Sequence, residues 1–276
     1  MSYAEILVQG GLDATAAKRL QIAQNLAARY DAQLVGVFLA PSTRPLAAYP
    51  GVNGAAASPQ IVQLLEDQRA EVAARAQKAR AAFEQVAGAG AAWRELEGWS
   101  PEPMILAART SDLVVMAGPP ENLHGGLHVP ADAVAMASGA PVIVVPDTAG
   151  VTGVGRRVLV AWNGSREAAR AFRDALPILR MADAVTALIV DHPPHTHEAE
   201  RHLQAWFERQ GCKGSVQRLP AGGDPAQEVI LRHAGRVDAD LIVMGLYGHS
   251  RLREFILGGV SRAMLEHSPL PLFLSH

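Results

Sequence analysis

Four glycines near the end of the chain form the pattern best suited to binding chemistry. They are Gly245, Gly248, Gly258 and Gly259, and they follow the apolar run 239–244. The first two fit a tight turn that leaves a buried strand, and the last two lie where a helix over 260–267 would begin. Amide N–H groups at a helix start face an anion freely where no Cβ intervenes. The spacing therefore predicts a cradle for phosphate groups; the alternative is that the glycines only punctuate a loop.

The spacing Gly-x2-Gly-x9-Gly, which runs from Gly245 to Gly258, resembles the ATP-binding signature of the universal stress protein family. In that family a Ser or Thr follows the third glycine, where this chain has Gly259. A backbone N–H contact to phosphate survives this change, but a side-chain hydroxyl donor is lost. Ser261 is expected to replace that donor in part.

The resemblance also implies where the ligand lies. It implies the strand order 3-2-1-4-5, with the ligand at the carboxyl ends of strands 1 and 4, where the winding of the sheet reverses. In the second half of the chain, strand 1 is followed by the loop 161–165 and strand 4 by the glycine motif. These two loops are expected to face each other across one crevice.

Individual residues of that crevice follow from the same resemblance. Where the family usually carries Asp, near the ribose and the metal, this chain has Asn163, which can form hydrogen bonds but has no charge. Mg²⁺ is therefore expected to be required weakly, if at all. Val190 and Met244 are expected to form the two walls of an adenine slot. The ATP contacts implied by the resemblance are Ala161, Asn163, Val190, Met244, Gly245, Gly248, His249, Arg251, Gly258, Gly259, Val260 and Ser261.

Two features near the cradle admit a second interpretation. Asn163 and Gly164 also fit a plain turn in which Ser165 caps a helix, and this is compatible with a binding role. Arg251 and Arg253 could neutralise phosphate charge or lie exposed on a surface turn. We find no general base aimed at a γ-phosphate and predict no catalytic residue, so nucleotide binding is favoured over rapid turnover, with slow hydrolysis or autophosphorylation as the upper limit.

The two halves of the chain repeat one design. Residues 111–116 correspond to 239–244, and 138–145 correspond to 268–275, which indicates a tandem duplication of roughly 140 residues. We predict a degenerate domain at 1–147 and a domain with the ATP-binding motif at 156–276, joined by a segment rich in small residues.

Short β-branched runs alternate with helical patterns in each half, which predicts the α/β class with two doubly wound domains, each a five-stranded parallel sheet. The resemblance makes them flavodoxin-like, of the adenine-nucleotide-hydrolase type. In the second half we predict strands at 157–162, 184–190, 214–219, 239–244 and 270–275, and helices near 165–180, 196–210, 225–236 and 260–267. In the first half, Ser58 and Pro59 open a long helix. Its apolar stripe consists of Val72, Ala76, Ala79, Phe83 and Val86.

The first half does not keep the glycine cradle. It carries Pro119, Pro120 and Pro130 at the equivalent places, and proline removes the N–H donors that phosphate would need. No phosphate site is expected there, and this half is expected to serve as a scaffold and pairing partner.

Two other segments suggest competing chemistry. The loop 9–14, with Gly10, Gly11 and Asp13, resembles the pyrophosphate loop of ATP pyrophosphatases, but both hydroxyl positions of that loop are missing. The segment 191–202 concentrates four histidines, which could bind metal or, through His192, cover the adenine. Two prolines there favour a solvated loop and helix entry instead. No metal site is therefore predicted.

Composition sets the remaining expectations. The chain has 276 residues, a net charge of −2 and interspersed basic and acidic residues, so nucleic acid is not an expected partner. No apolar run approaches the ~18 residues of a membrane span, and the first residues carry no export signal, so we expect a cytoplasmic protein without a membrane partner. The single Cys212 fits a reducing compartment. The halves are expected to pair internally as a pseudo-dimer or across chains as a homodimer.

The leading hypothesis is thus a tandem universal stress protein that binds ATP or another adenine nucleotide as a sensor or regulator. The competing class is a nucleotide-independent scaffold of the same fold, favoured by the missing groups at Asn163 and Gly259. An enzyme of the pyrophosphatase type is the third alternative.

Overall fold

The computed structural model describes residues 2–42, 59–119, 129–147, 150, 153–190, 197–247 and 259–276. The first half contains β1 (Glu5–Gln9), α1 (Ala16–Tyr30), β2 (Gln33–Pro41), α2 (Pro59–Ala87), β3 (Ala92–Gly98), α3 (Glu102–Ala108), β4 (Leu113–Ala117), α4 (Ala131–Ser138) and β5 (Val142–Val145). The second half contains β6 (Arg157–Ala161), α5 (Arg166–Asp174), α6 (Leu176–Met181), β7 (Ala184–Val190), α7 (His197–Gln210), β8 (Gly214–Leu219), α8 (Ala226–Arg236), β9 (Leu241–Gly245), α9 (Gly259–His267) and β10 (Leu272–Ser275). Strands and helices alternate along both halves, so the α/β class is confirmed.

All the described strands belong to one sheet, in the order β3-β2-β1-β4-β5-β10-β9-β6-β7-β8. Within each half the strands are parallel and follow the order third, second, first, fourth, fifth. The halves join where β5 pairs antiparallel with β10 and Ile143 lies opposite Phe273. The two five-stranded sheets expected from the sequence are therefore one continuous sheet of ten strands.

Both faces of this sheet are covered by helices, which explains why its central strands are almost wholly apolar. Helices α1, α2, α5, α6 and α7 contribute to the core on one face, and α3, α4, α8 and α9 contribute to the core on the other. Within β9, for example, Val243 joins the first core and Met244 the second, as the period of two in a strand requires.

Most predicted elements of the second half agree with the observed ones within two residues. The exception is the helix expected near 165–180, which is two helices separated at Ala175. Pro177 lies in the first turn of α6, where its missing N–H costs least, whereas inside a single helix it would break the hydrogen-bond ladder. In the first half, Ala76, Ala79 and Phe83 of the α2 stripe are buried as predicted.

Contacts outside the sheet also connect the halves. The Tyr3 hydroxyl donates to the carbonyl of Asp174 at 2.8 Å, and Arg29 donates to the carbonyl of Val154 at 3.1 Å. Helix α4 of the first half packs against β10 of the second. The sheet, the core and these hydrogen bonds together make the two halves one packed unit.

One buried side chain makes the stability of this unit depend on pH. His233 of α8 is 6% exposed, and neither of its ring nitrogens forms a hydrogen bond within the described part of the chain. Burial, and secondarily the charge of Arg236, lowers the pKa of His233. The folded chain therefore holds a neutral imidazole, whereas the unfolded chain takes up a proton as the pH falls through about 6.5.

We expect the free energy of unfolding to be at its full value above about pH 6.5 and to decrease as the pH falls through that value toward the lower pKa of the folded state. Urea unfolding followed by circular dichroism, from about pH 7.5 to about pH 5.5, measures this slope. His233→Leu should flatten it. An equally steep loss of stability in His233→Leu would show that another group is responsible.

Candidate functional site

The carboxyl ends of β6 and β9 lie side by side, and the chain leaves them towards opposite faces of the sheet. Strand β6 pairs with both β7 and β9, so it is the strand from which the second half winds in two directions. Helix α5 follows β6 and contributes to one core, and α9 follows β9 and contributes to the other. A crevice between diverging helices at a reversal of winding is the usual ligand position in open parallel sheets.

The loop after β6 is a capped turn. The side-chain Oδ1 of Asn163 accepts a hydrogen bond from the backbone N–H of Ser165 at 3.1 Å, and Gly164 has a φ of 71°. Ser165 in turn accepts from the N–H of Ala168 at 3.1 Å and caps α5. The plain-turn interpretation thus describes the local geometry, and it places the Asn163 side chain beside the start of α5.

Gly245 is the point where β9 touches the other side of the crevice. A Cβ at this position would lie 2.4 Å from the carbonyl carbon of Glu167 and 2.6 Å from the backbone nitrogen of Ala168. Since these are backbone atoms of α5, they cannot move aside as a flexible side chain could. Gly245 therefore allows the close approach of β9 to α5, independently of any ligand.

Apolar side chains line the carboxyl ends of the strands on the face covered by α8 and α9. Ala161, Val190 and Met244 all belong to the core on this face, and of these Val190 and Met244 are the residues predicted to form the adenine slot. Met244 is buried, and the other two are half-buried at the ends of β6 and β7. Leu219, which ends β8 opposite Val190, packs in the same core and was not singled out from the sequence.

The start of α9 forms the remaining described part of the site. Gly259 is exposed, and a Cβ there would meet no atom of the described residues within 4 Å. Val260 packs half-buried against the α8–α9 core. Ser261 is only 6% exposed, and its Oγ accepts a hydrogen bond from the backbone N–H of Tyr247 at 3.2 Å. Its hydroxyl therefore ties α9 to the end of β9, a partner that the sequence could not reveal.

Several predicted contacts lie outside the described residues, and no position is assigned to them. They are Gly248, His249, Arg251 and Gly258, together with Arg253 and His192. Of the proposed metal segment, Glu198 and His202 are described, and their side chains are exposed and 3.9 Å apart. Within the described ranges no group of three or more His, Cys, Asp and Glu is placed to hold a metal ion.

Glu167 is a buried carboxylate near the crevice that sequence reasoning missed. Its side chain is 7% exposed, and its Oε1 accepts a hydrogen bond from Arg166. Burial by itself raises the pKa of Glu167, but the hydrogen bonds from Arg166 and the backbone outweigh burial and lower it. Glu167 is thus ionised and paired in the first turn of α5, where a helix dipole favours negative charge.

The corresponding crevice of the first half is filled by its own side chains. Gln9 ends β1 as Ala161 ends β6, and its Oε1 accepts a hydrogen bond from the backbone N–H of Ala117, at the end of β4, at 3.0 Å. Arg19 is fully buried and forms an ion pair with Asp13 at 2.8 Å. The donor at the end of β4 is therefore already used by the protein itself.

The ion pair also bears on the loop that resembles that of ATP pyrophosphatases. Burial by itself raises the pKa of Asp13, but hydrogen bonds from Arg19 and Thr15 and the charge of Arg19 lower it well below its ordinary value. Asp13 is engaged with an internal cation instead of facing an open phosphate loop.

We expect Gly245→Ala to lower the free energy of unfolding by about 1–3 kcal/mol, because the new methyl group overlaps the backbone of α5. Gly259→Ala is the matched control and should cause no loss, because no atom in the described part of the chain lies within 4 Å of a Cβ at Gly259. Urea unfolding of the three chains measures both effects. Equal stability of the two variants would contradict the close approach of β9 to α5.

Comparisons with known proteins concern the sequence of the second half and the fold of the whole chain. Residues 155–276 match the model of the universal stress protein family. A protein named as a universal stress protein in Staphylococcus saprophyticus is 29% identical over 133 residues, covering 41% of this chain and 79% of that protein. The stress response protein NhaX of Bacillus subtilis is 28% identical over 100 residues, covering 36% of this chain and 58% of that protein.

Solved structures extend the likeness to the whole fold. A universal stress protein from Archaeoglobus fulgidus aligns over 98% of this chain and 95% of its own, with a TM-score of 0.69 and 19% identity. A structure from Pseudomonas aeruginosa, named for the same family, aligns over 99% and 93%, with a TM-score of 0.56 and 16% identity. At such identities the likeness concerns the fold alone. Residues 155–276 thus match the universal stress protein family by sequence, and the whole chain shares the fold of solved structures named for that family.

Proposed function

We propose that the chain is a cytoplasmic stress-response regulator or sensor that binds ATP, or a related adenine nucleotide, at the carboxyl ends of β6 and β9. One observation carries this proposal. The family's glycine spacing begins at Gly245, the last residue of β9, and β9 neighbours the strand from which the second half winds in both directions. A ligand at this edge meets the start of α9, where backbone N–H groups favour an anion.

The described side chains suit the two ends of a nucleotide. Ala161 and Val190 offer half-buried apolar surface beside the buried Met244, which suits the faces of an adenine ring. Among the described residues, nothing lies within 4 Å of a Cβ at Gly259, which leaves room for a phosphate group at the start of α9. We also propose, on the basis of the family spacing, that ATP contacts four residues outside the described ranges, which are Gly248, His249, Arg251 and Gly258.

The proposal assigns the ligand to the second half alone. We propose domain limits of 1–147 and 156–276, with the first domain as a scaffold whose crevice is filled by Gln9 and by the pair of Arg19 with Asp13. The antiparallel pairing of β5 with β10 supports an internal pseudo-dimer. A homodimer of two such chains stays a prediction, which the mass of the native protein tests.

Binding is proposed without rapid turnover. The described carboxylates near this edge are Glu167 and Asp132, and both already have partners, Arg166 and Tyr247. A general base needs a carboxylate or imidazole free to accept the proton of the attacking water. Slow hydrolysis is the most that we propose.

A nucleotide-independent scaffold is the second candidate, and a specific observation favours it. The Oδ1 of Asn163 is used within its own turn, and Gly259 provides no hydroxyl for phosphate. In this alternative the second half keeps the family fold and acts through its surface. The two candidates differ in whether an adenine nucleotide is present.

Native mass spectrometry and titration calorimetry test the proposal together. We expect protein purified without added nucleotide to bind about one adenine nucleotide per chain, because the proposal assigns the ligand to the second half alone. Two equal sites would contradict the assignment of the first half as a scaffold. The absence of any binding of ATP, ADP or AMP would favour the second candidate.

A separate prediction concerns the metal. Asn163 has no carboxylate, so ATP affinity of the parent should differ little between chelator and Mg²⁺. Asn163→Asp retains an oxygen that can accept a hydrogen bond from the N–H of Ser165. In chelator, repulsion of ~1 kcal/mol between the new carboxylate and the phosphates should weaken the affinity for ATP about fivefold. Added Mg²⁺ should restore the affinity, because carboxylate oxygens are its preferred ligands. A parent chain that needs Mg²⁺ as strongly as the Asp variant would mean that Asn163 lies away from the phosphates.

A further inference from the structure

The first half contributes a side chain to the edge where the second half is proposed to bind its nucleotide. The hydroxyl of Tyr247, two residues after the end of β9, donates a hydrogen bond to Oδ2 of Asp132 at 2.8 Å. Asp132 lies in the first turn of α4, and its other oxygen accepts from the backbone N–H of Ala133 at 2.9 Å. Both carboxylate oxygens are thus held in place, one by its own helix and one by the other half of the chain.

The backbone of Tyr247 requires such support. Its φ is 53°, in the left-handed region that residues with a bulky side chain rarely adopt. Three described hydrogen bonds hold this conformation. The N–H of the preceding Leu246 donates to the carbonyl of Ser275 at 2.9 Å. The N–H of Tyr247 donates to Ser261, and its ring hydroxyl donates to Asp132. The first two contacts come from the second half, and the third comes from the first half.

The chemistry of the pair keeps this bond formed. Tyr247 is half-buried and packs against the core shared by α4, α8 and α9. Burial and the hydrogen bond to Asp132 raise the pKa of the Tyr247 hydroxyl well above its ordinary value, so it remains a donor. The nearby Arg262 is already engaged with Glu266 at 2.8 Å.

We propose that Asp132 is a positioning residue for the proposed nucleotide site of the second half. It acts by holding Tyr247, and with it the bend at 246–247 that precedes Gly248, the next proposed phosphate contact along the chain. This inference rests on the proposed function. Asp132 is not proposed to touch the ligand, and its negative charge would by itself disfavour phosphate. Loss of positioning would weaken the affinity for ATP when Asp132 is removed, whereas loss of its negative charge would strengthen it. The direction of the change therefore tests the role.

The experiment compares the affinities of ATP and adenosine, by titration calorimetry, in the parent and four variants. Tyr247→Phe removes only the hydroxyl, and Asp132→Ala removes its acceptor. We expect each to weaken the affinity for ATP by about 5- to 10-fold, which is within the range of one lost hydrogen bond of ordinary net strength, with the affinity for adenosine almost unchanged. In the double variant the loss should not exceed that of the stronger single variant, because both remove one interaction.

Asp132→Asn is the conservative variant. Its amide can accept from Ala133 through oxygen and donate to the tyrosine oxygen through nitrogen, so both contacts are retained and ATP should bind within about twofold of the parent. Circular dichroism of all variants checks that the fold is intact.

The outcomes separate this inference from the proposed function. A parent chain that binds no nucleotide overturns both. A parent that binds ATP, with variants of unchanged or tighter affinity, overturns the positioning role alone. Equal weakening of ATP and adenosine also overturns it, because a general disturbance of the site would then explain the loss.

Discussion

The antiparallel pairing of β5 with β10 is the constraint on which the rest of the structure depends. Each of these strands is only four residues long and fully buried, and alone each would leave an apolar sheet edge exposed to other chains. Their pairing provides hydrogen-bond partners for the backbone groups of both edges and joins ten strands into one sheet. One core then continues across the junction, from Val134 of α4 to Met264 of α9, so that neither half presents a separate surface to solvent at this point.

Within this common sheet, the difference between the two halves comes from a few side chains at equivalent positions. The first strand of one half ends in Gln9 and that of the other in Ala161. A glutamine is long enough to reach the N–H at the end of β4, and an alanine is not. The buried Arg19 supplies an internal cation where a ligand site would otherwise remain open, and Asp13 and Thr15 satisfy it. The first half therefore keeps the fold while its own side chains occupy the crevice.

The same junction brings a side chain of the first half to the residues that follow β9 in the second half. Because α4 packs against β10, its first turn comes within hydrogen-bond distance of the residue that follows β9 by two positions. Strain in the left-handed backbone of Tyr247 is tolerated only where the surroundings determine the conformation. In this chain those surroundings come from both halves, so the first half helps to hold the backbone that follows β9 in the second half.

The sequence by itself determined the local features. Runs of β-branched residues located the strands, and the stripe with Ala76, Ala79 and Phe83 located the buried face of α2. The glycine spacing predicted a site at the end of β9, which stays a prediction. Pro177 carried the signal for the break between α5 and α6, although we predicted one helix there. These features depend on neighbours within a few residues along the chain. Tertiary structure alone decided the β5–β10 pairing, the contact of Gly245 with α5, the bond of Ser261 to Tyr247 and that of Tyr247 to Asp132. Each of these joins segments distant in sequence, and no local periodicity encodes which of them will meet.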